Sequence, residues 1–290
     1  AGLYVFAPQL LGLMGLSPQL IDCGKVYMQI VGGFSFLQAI AMTLSATLRS
    51  HNQAFYPMYV TLLMNVLNVA GNYLLIFGKC GFPALGAPGA AVSTSVCRLI
   101  AMCLLGYLLF RKVVPDFSFK YLRPFPWDKV KNLMVVGLPA AGEQVSYNLS
   151  QVVITYFSVL IGTAALTART YAMNIVMFSY VFSIALGNGA AICIGHLIGA
   201  EKDNAAYSVE KYSIWLSVII TVVISVFTAL IGTNIFQLLS PNPEVVKIGA
   251  AVLYVDIVLE IGRAVNITSV DSLIAAGDVF YPFITGIIVM

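Results

Sequence analysis

The sequence predicts an all-α integral membrane fold of two parallel six-helix lobes, of which this chain carries part of each and is truncated at both ends. Three observations predict it. Of the 290 residues, 60% are hydrophobic and 9% charged, with a mean hydropathy of +0.92, whereas a soluble domain carries about 25% charged residues. The apolar residues gather into runs long enough to cross a bilayer, which takes roughly 17 to 25 residues each. The chain also repeats itself at a distance that corresponds to an even number of spans.

Seven complete spans are expected, at about 24–48, 53–77, 86–111, 130–161, 165–195, 206–232 and 245–275, with partial spans at 1–14 and 279–290. The first residue is Ala, no signal-peptide pattern precedes the first span, and both termini fall in apolar runs, so an internal piece of a longer protein is expected. The segment RKVVPDFSFKYLRPFPWDKVK, residues 111–131, holds six of the fifteen Lys and Arg. By the positive-inside rule it is cytoplasmic, and alternation places the segments near 49–53, 196–206 and 275–279 on the same side. The expected organisation is a partial N-terminal lobe at 1–112, a basic inter-lobe loop at 113–127 and a partial C-terminal lobe at 128–290. The cysteines, Cys23, Cys80, Cys97, Cys103 and Cys193, are scattered without metal-ligand spacing. They read as packing residues rather than a disulfide framework or a zinc site, and no cofactor or metal is expected.

The stretch 17–57 lies on 242–282 without a gap, at an offset of 242 − 17 = 225 residues. Pro18 falls on Pro243, Gly24 on Gly249, Thr43 on Thr268, Leu48 on Leu273, and Phe55, Tyr56 and Pro57 on Phe280, Tyr281 and Pro282. At about 37 residues per span and loop the offset is six helices, so both copies share one membrane orientation, as parallel repeats do. The same offset sizes the intact protein at about 440 residues and twelve spans, with roughly 100 residues before this chain.

Several motifs resemble one family. LRSHNQAFYP at 48–57 and NVLNVAGNYLLIFGKCGFPALGAPGAAVST at 65–94 are similar to the fourth-to-sixth helix signature of the multidrug and toxic compound extrusion (MATE) transporters. GLPAAGEQVSYNLSQ at 137–151 resembles their seventh helix, GHLIGAEKDNAAY at 195–207 the end of their eighth, and LEIGRAVNITSVDSLIAAGD at 259–278 their tenth. The resemblance covers nearly the whole chain in order. It implies a bacterial-type transporter of twelve helices in two lobes, exporting amphipathic, often cationic, compounds against inward proton or sodium flow, with this chain running from the end of helix 3 to the start of helix 11. The sequence departs from the NorM-type branch: Arg263 stands where that branch has its helix 10 acid, and Glu143 lies about a turn closer to Pro139, so specific cation ligands do not carry over.

The informative residues are the polar ones inside spans. A charge at a helix centre costs about 2.5–3.5 kcal/mol, and each Leu, Ile, Val or Phe returns only roughly 0.3–0.6 kcal/mol. Asp256, Glu260 and Arg263 share the last complete span. At about 100° per residue Glu260 lies about 40° from Asp256 and Arg263 about 20° to its other side, so all three form one stripe that must face the interior. Two readings stand open: a structural ion pair of Glu260 and Arg263, or an acid site for a proton or cation tuned by its neighbours. Simple pairing would leave one acid unmatched, and Asp256, nearer the outer end, is expected in a solvated outer vestibule.

Glu143, after the helix-bending Pro139, is the second embedded acid; it could line one cavity with Glu260, with Tyr147 on its own face. Tyr171, Asn174 and Asn266 are candidate cavity residues, and Asp271 reads either as site or as plain solvation at the inner end. Asn65, Asn68 and Asn72 recur at helical spacing and are expected to join helices.

The expected function is a secondary antiporter exporting amphipathic cationic drugs or metabolites for protons or sodium by alternating access, located in the cell (inner) membrane. The alternative is a flippase for lipid-linked saccharide precursors. Expected partners are small-molecule substrates and the lipid bilayer, not nucleic acid, with the protein acting as a monomer. No His-rich, Ser/His or metal-spaced constellation suggests an enzyme.

Overall fold

The structure, a computed structural model, describes residues 18–79, 81, 83–115 and 125–289. The partial span expected at 1–14 and the loop residues Lys120 and Arg123 lie outside them. Among the described residues there are nine α-helices and no strand: α1 Pro18–Gly33, α2 Ser35–Ser50, α3 Phe55–Phe77, α4 Ala87–Lys112, α5 Trp127–Ile161, α6 Thr163–Gly199, α7 Asp203–Leu239, α8 Pro243–Ala276 and α9 Phe280–Val289. They fall into two compact units, Ala1–Arg123 and Pro124–Met290.

The duplicated sequence marks equivalent helix starts. Pro18 and Pro243 open α1 and α8, and the two Phe-Tyr-Pro triplets open α3 and α9. Proline suits these positions because a first-turn N–H has no helical partner. Between those marks the copies differ. The second runs as one helix, α8, whereas the first breaks after Gly33 into α1 and α2 at an angle of 42°. Gly32 and Gly33 stand where α8 has Ile257 and Val258, and paired glycines weaken a helix interior. The Ser35 hydroxyl donates to the Gly32 carbonyl at 2.8 Å, occupying an acceptor at the break. The span expected at 24–48 is therefore a bent pair.

In the first unit α1, α2 and α3 all pack on α4, around Leu48, Val60, Met64, Cys97, Leu105 and Leu109. Small residues let α3 and α4 approach: a methyl on Gly89 would come within 2.6 Å of the Leu75 carbonyl oxygen. The Asn68 amide donates to Thr94 at 3.4 Å and the Asn72 amide to Asn68 at 3.0 Å. Asn68 and Asn72 thus tie α3 to α4 in a chain of side-chain bonds.

In the second unit α6, α7 and α8 pack on one another, while α5 packs on α6 and α9. Helix α7 shows why. Its buried face carries Ser217, Thr221, Ser225, Ala229, Gly232 and Phe236; its exposed face carries Leu216, Ile219, Val223, Phe227 and Leu230. That is the reverse of a water-soluble helix, and it is favourable where the surroundings are lipid: no hydrophobic force drives helices together there, so small and hydroxyl side chains make the interface. Ser217 donates to Ser183 of α6 at 2.8 Å.

Four helices, α3, α4, α6 and α7, are long and apolar enough to cross a membrane, or five with the bent pair α1 and α2 taken as one. The sequence reading of seven complete spans also counts α5 and α8. Helices α5 and α8 have the length, with 35 and 34 residues, but their embedded polar and charged groups take them below the apolarity of a lipid-facing span.

Gly249, a position shared by both repeats, presses on the fully buried ring of Phe236, which would overlap any side chain placed there. We expect Gly249→Ala to destabilise the protein by about 1–3 kcal/mol through overpacking, measured as a lower Tm of the purified full-length protein in detergent.

Candidate functional site

Helix α8 begins with Asn242, whose side chain accepts from the Glu244 N–H at 2.9 Å, and ends on Gly277 at φ 93°. Its buried residues are Val245, Gly249, Leu253, Asp256, Glu260, Ala264, Thr268 and Ser272. They recur every three or four positions and form one seam along α6 and α7. Two of its central positions are carboxylates.

Arg263 binds both of them. One guanidinium nitrogen (Nη1) donates to Glu260 Oε1 and the other (Nη2) to Asp256 Oδ1 at 3.4 Å. The guanidinium also lies over the ring of Tyr180 on α6, 5.4 Å from its centroid. Asp256 is 6% exposed and Glu260 0%, whereas the Arg263 side chain is 34% exposed. Two expectations are corrected. Asp256 does not stand in a solvated vestibule but is buried in the seam, and neither acid is left without a partner, because a guanidinium has a planar fork of donors that can serve two carboxylates.

What remains unmatched within the triad is a single buried atom. Glu260 Oε2 is buried with no hydrogen-bond partner among the described residues, as are the hydroxyls of Ser179, Ser225 and Thr268. The helix registers show how these relate. Methyls on Gly232 and Gly249 would meet Leu253 and Phe236 respectively, so α7 and α8 run antiparallel, and continuing that register from Leu253 brings Glu260 level with Ser225. Helices α6 and α8 run parallel, with Arg263 over Tyr180, which puts Ser179 within about one turn of the same level. Ser179 and Ser225 thus lie near the level of Glu260 in the three-helix seam, and none of the three has a partner for its buried oxygen (Oε2 in Glu260) among the described residues. A proton or a small cation is the kind of species that such an atom lacks.

Glu143 lies elsewhere. Its side chain sits against Gly286 of α9, with Glu143 Cγ 3.3 Å from where a methyl on that glycine would stand. Asp271 of α8 packs on Gly187 of α6, with its Oδ2 2.5 Å from a methyl there. Among the described residues neither Glu143 nor Asp271 has an ion-pair partner. Tyr147 is exposed one turn beyond Glu143, and Asn266 is exposed on the outer face of α8. Asn174 is exposed and its amide donates to Thr170 of its own helix at 2.9 Å. Arg169 proves structural: it donates to Thr155 at 2.9 Å and to Gln151 at 2.8 Å, joining α6 to α5. Among the described residues no group of His, Cys, Asp and Glu could hold a metal ion.

Comparison with known proteins agrees with this architecture. The MatE family model matches residues 1–74 and 139–290. An uncharacterized transporter, YisQ, of Bacillus subtilis (strain 168) is 38% identical over 290 residues, which is 100% of this chain and 64% of that protein. A probable multidrug resistance protein NorM of Thermotoga maritima is 24% identical over 270 residues, 93% of this chain and 58% of the relative. This chain thus spans less than two thirds of the length of either. A crystal structure of MATE in the straight conformation superposes with a TM-score of 0.88 at 18% identity, over 99% of this chain and 63% of that one. The Vibrio cholerae MATE transporter VcmN in the bent form gives 0.87 at 19% identity, over 98% of this chain and 64% of that one. At such identities the structures show the fold.

Proposed function

Because this chain belongs to the MatE family, whose members are transporters rather than enzymes, we propose that the full-length protein containing it exports amphipathic cations, drugs or metabolites, in exchange for protons or sodium. The observation that carries this reading is the buried triad of Asp256, Glu260 and Arg263. With all three groups ionised, two carboxylates against one guanidinium leave a net charge of −1 in the seam. One cation cancels it. A proton on Glu260 and a positively charged substrate therefore compete for the same negative charge, and that competition is what an exchanger needs. Alternating access between the two lobes would offer the charge to each side in turn.

Glu143 and Asp271 provide a second acidic locus along the same unit. Tyr180 supplies an aromatic contact to a cationic aromatic cargo, and Tyr147, Asn174 and Asn266, exposed on α5, α6 and α8, are proposed as further contacts. The positive-inside rule assigns the basic 111–131 segment to the cytoplasm of a multi-pass cell-membrane protein, and the monomer is the proposed unit. The alternative of a saccharide-lipid flippase needs a strongly basic cavity for a pyrophosphate, whereas the clear mid-span cations of this chain are Arg98 and Arg263, and Arg263 is committed to two carboxylates. The name of the Thermotoga maritima relative, a probable multidrug resistance protein, supports the drug reading.

The test is ethidium accumulation in cells expressing the full-length protein. Expression should lower accumulation relative to empty vector, and Glu143→Gln at equal membrane levels should slow export by about fivefold, the effect of losing roughly one charged interaction. Accumulation equal to that of empty vector for the wild type would count against the cation-export reading.

A further inference from the structure

Two contacts set the register of α6 against α8. The Arg263 guanidinium lies 5.4 Å from the centroid of the Tyr180 ring, and Asp271 Oδ2 lies 2.5 Å from where a methyl on Gly187 would stand. The sequence separations, 263 − 180 = 83 and 271 − 187 = 84, agree to within one residue. Tyr180 therefore reaches Arg263 through the regular parallel packing of two long helices rather than through a loop. The ring is itself held: Tyr180 is half-buried and packs on the cluster that includes Ala172, Val176, Phe236 and Leu253.

Arg263 is not equally placed for its two acids. Glu260 is three residues back on the same helix, where a side chain leaning toward the helix N-terminus meets it directly. Asp256 is seven residues back, about 10.5 Å along the axis, and its Oδ1 accepts from Nη2 at 3.4 Å. Holding both acids requires the Arg263 side chain to lie extended along α8, and a long side chain gives up much of its rotamer freedom to do so. The Tyr180 ring on the neighbouring helix provides the restraint, because an aromatic face attracts a guanidinium and limits the planes it can take.

We propose that Tyr180 is the positioning residue of the triad: its ring holds the Arg263 guanidinium so that one cation serves both Asp256 and Glu260. Without the ring Arg263 keeps its near neighbour Glu260 and lets go of Asp256, which is 6% exposed and is left as a buried charge without its counter-charge. The functional consequence rests on the export reading, in which the net charge of the triad is what proton and cargo share. The positioning itself does not, since it follows from the contacts of α6 with α8.

The experiment is a double-mutant cycle on the full-length protein, read as Tm in detergent and as ethidium export in cells. Tyr180→Leu in the wild-type background is expected to lower Tm and to slow export about fivefold, whereas Tyr180→Phe, which keeps the ring, should export within about twofold of wild type. In the Asp256→Asn background, where Arg263 has one acid to serve, Tyr180→Leu should lower Tm by less than about half as much and slow export by less than about twofold. The packing that Leu loses is the same in both backgrounds, and so is any contact between Tyr180 and cargo, so neither produces that difference. Tyr180→Met, closer to Tyr in length, repeats the cycle if Leu lowers membrane levels. Equal effects of Tyr180→Leu in the two backgrounds overturn the proposal, and so does a Tyr180→Phe variant as impaired as Tyr180→Leu. Absence of ethidium export by the wild type counts against the export reading alone, since the Tm cycle still decides the role of Tyr180.

Discussion

Cells expressing the Glu260→Gln variant of the full-length protein should export ethidium at least about tenfold more slowly than wild type at equal membrane levels, the largest functional effect expected of any neutral substitution in α8. The reason is charge rather than shape. Glutamine keeps the volume of Glu260 and can still accept from Arg263, while Arg263 keeps Asp256. The net charge of the triad rises from −1 to zero, and nothing remains for a cation to neutralise. Asp256→Asn removes the same charge but leaves the unpartnered Glu260 Oε2 in place, so its effect on export should be smaller. Equal export by Glu260→Gln and wild type would remove Glu260 from the mechanism.

Arg263→Leu should act on stability first. It leaves Asp256 and Glu260, buried in the seam at 6% and 0% exposure, without their shared counter-charge. Removing one partner of a buried ion pair typically costs about 3–5 kcal/mol, and here one residue serves two acids. The expected outcome is a protein of low abundance in the membrane with a clearly lower Tm in detergent. Adding Asp256→Asn and Glu260→Gln to Arg263→Leu makes the seam neutral and should restore most of the lost Tm, while export stays absent. An unchanged Tm for Arg263→Leu alone would mean that the acids are held by something other than Arg263.

The site was legible in the sequence where it lies on one helix and hidden where it spans several. A period of 3.6 residues is enough to put Asp256, Glu260 and Arg263 on one stripe and to turn it inward, because no lipid-facing surface tolerates three charges. Which of the acids Arg263 would bind was not legible, since that depends on rotamers and on Tyr180 from another helix. The surroundings of Glu143 and Asp271 were out of reach for the same reason: α9 must be placed before Glu143 is seen against Gly286, and α6 before Asp271 is seen against Gly187. The spans themselves followed from apolar runs. The break at Gly33 did not, although the repeat contained the clue: the aligned positions in α8 are Ile257 and Val258, good packing residues where the first copy has two glycines.

That comparison bears on function as well. The position aligned with Glu260 is Ser35, the residue that opens α2 after the break. One copy of the duplicated helix is a hinge-like bent pair with Val31, Ser35 and Gln38 at the aligned centre, and the other a continuous helix with a charged centre. The fold tolerates either, so the charges of α8 are not needed to build the helix and are best understood by what they bind.

The most direct measurement uses the full-length protein reconstituted in liposomes, with ethidium movement followed after imposing a proton gradient, a sodium gradient or neither. The expected result is that one of the two gradients accelerates ethidium transport by wild type and that neither does so for Glu260→Gln. Gradient-driven ethidium transport by Glu260→Gln at the wild-type rate would contradict a coupling role for the buried triad.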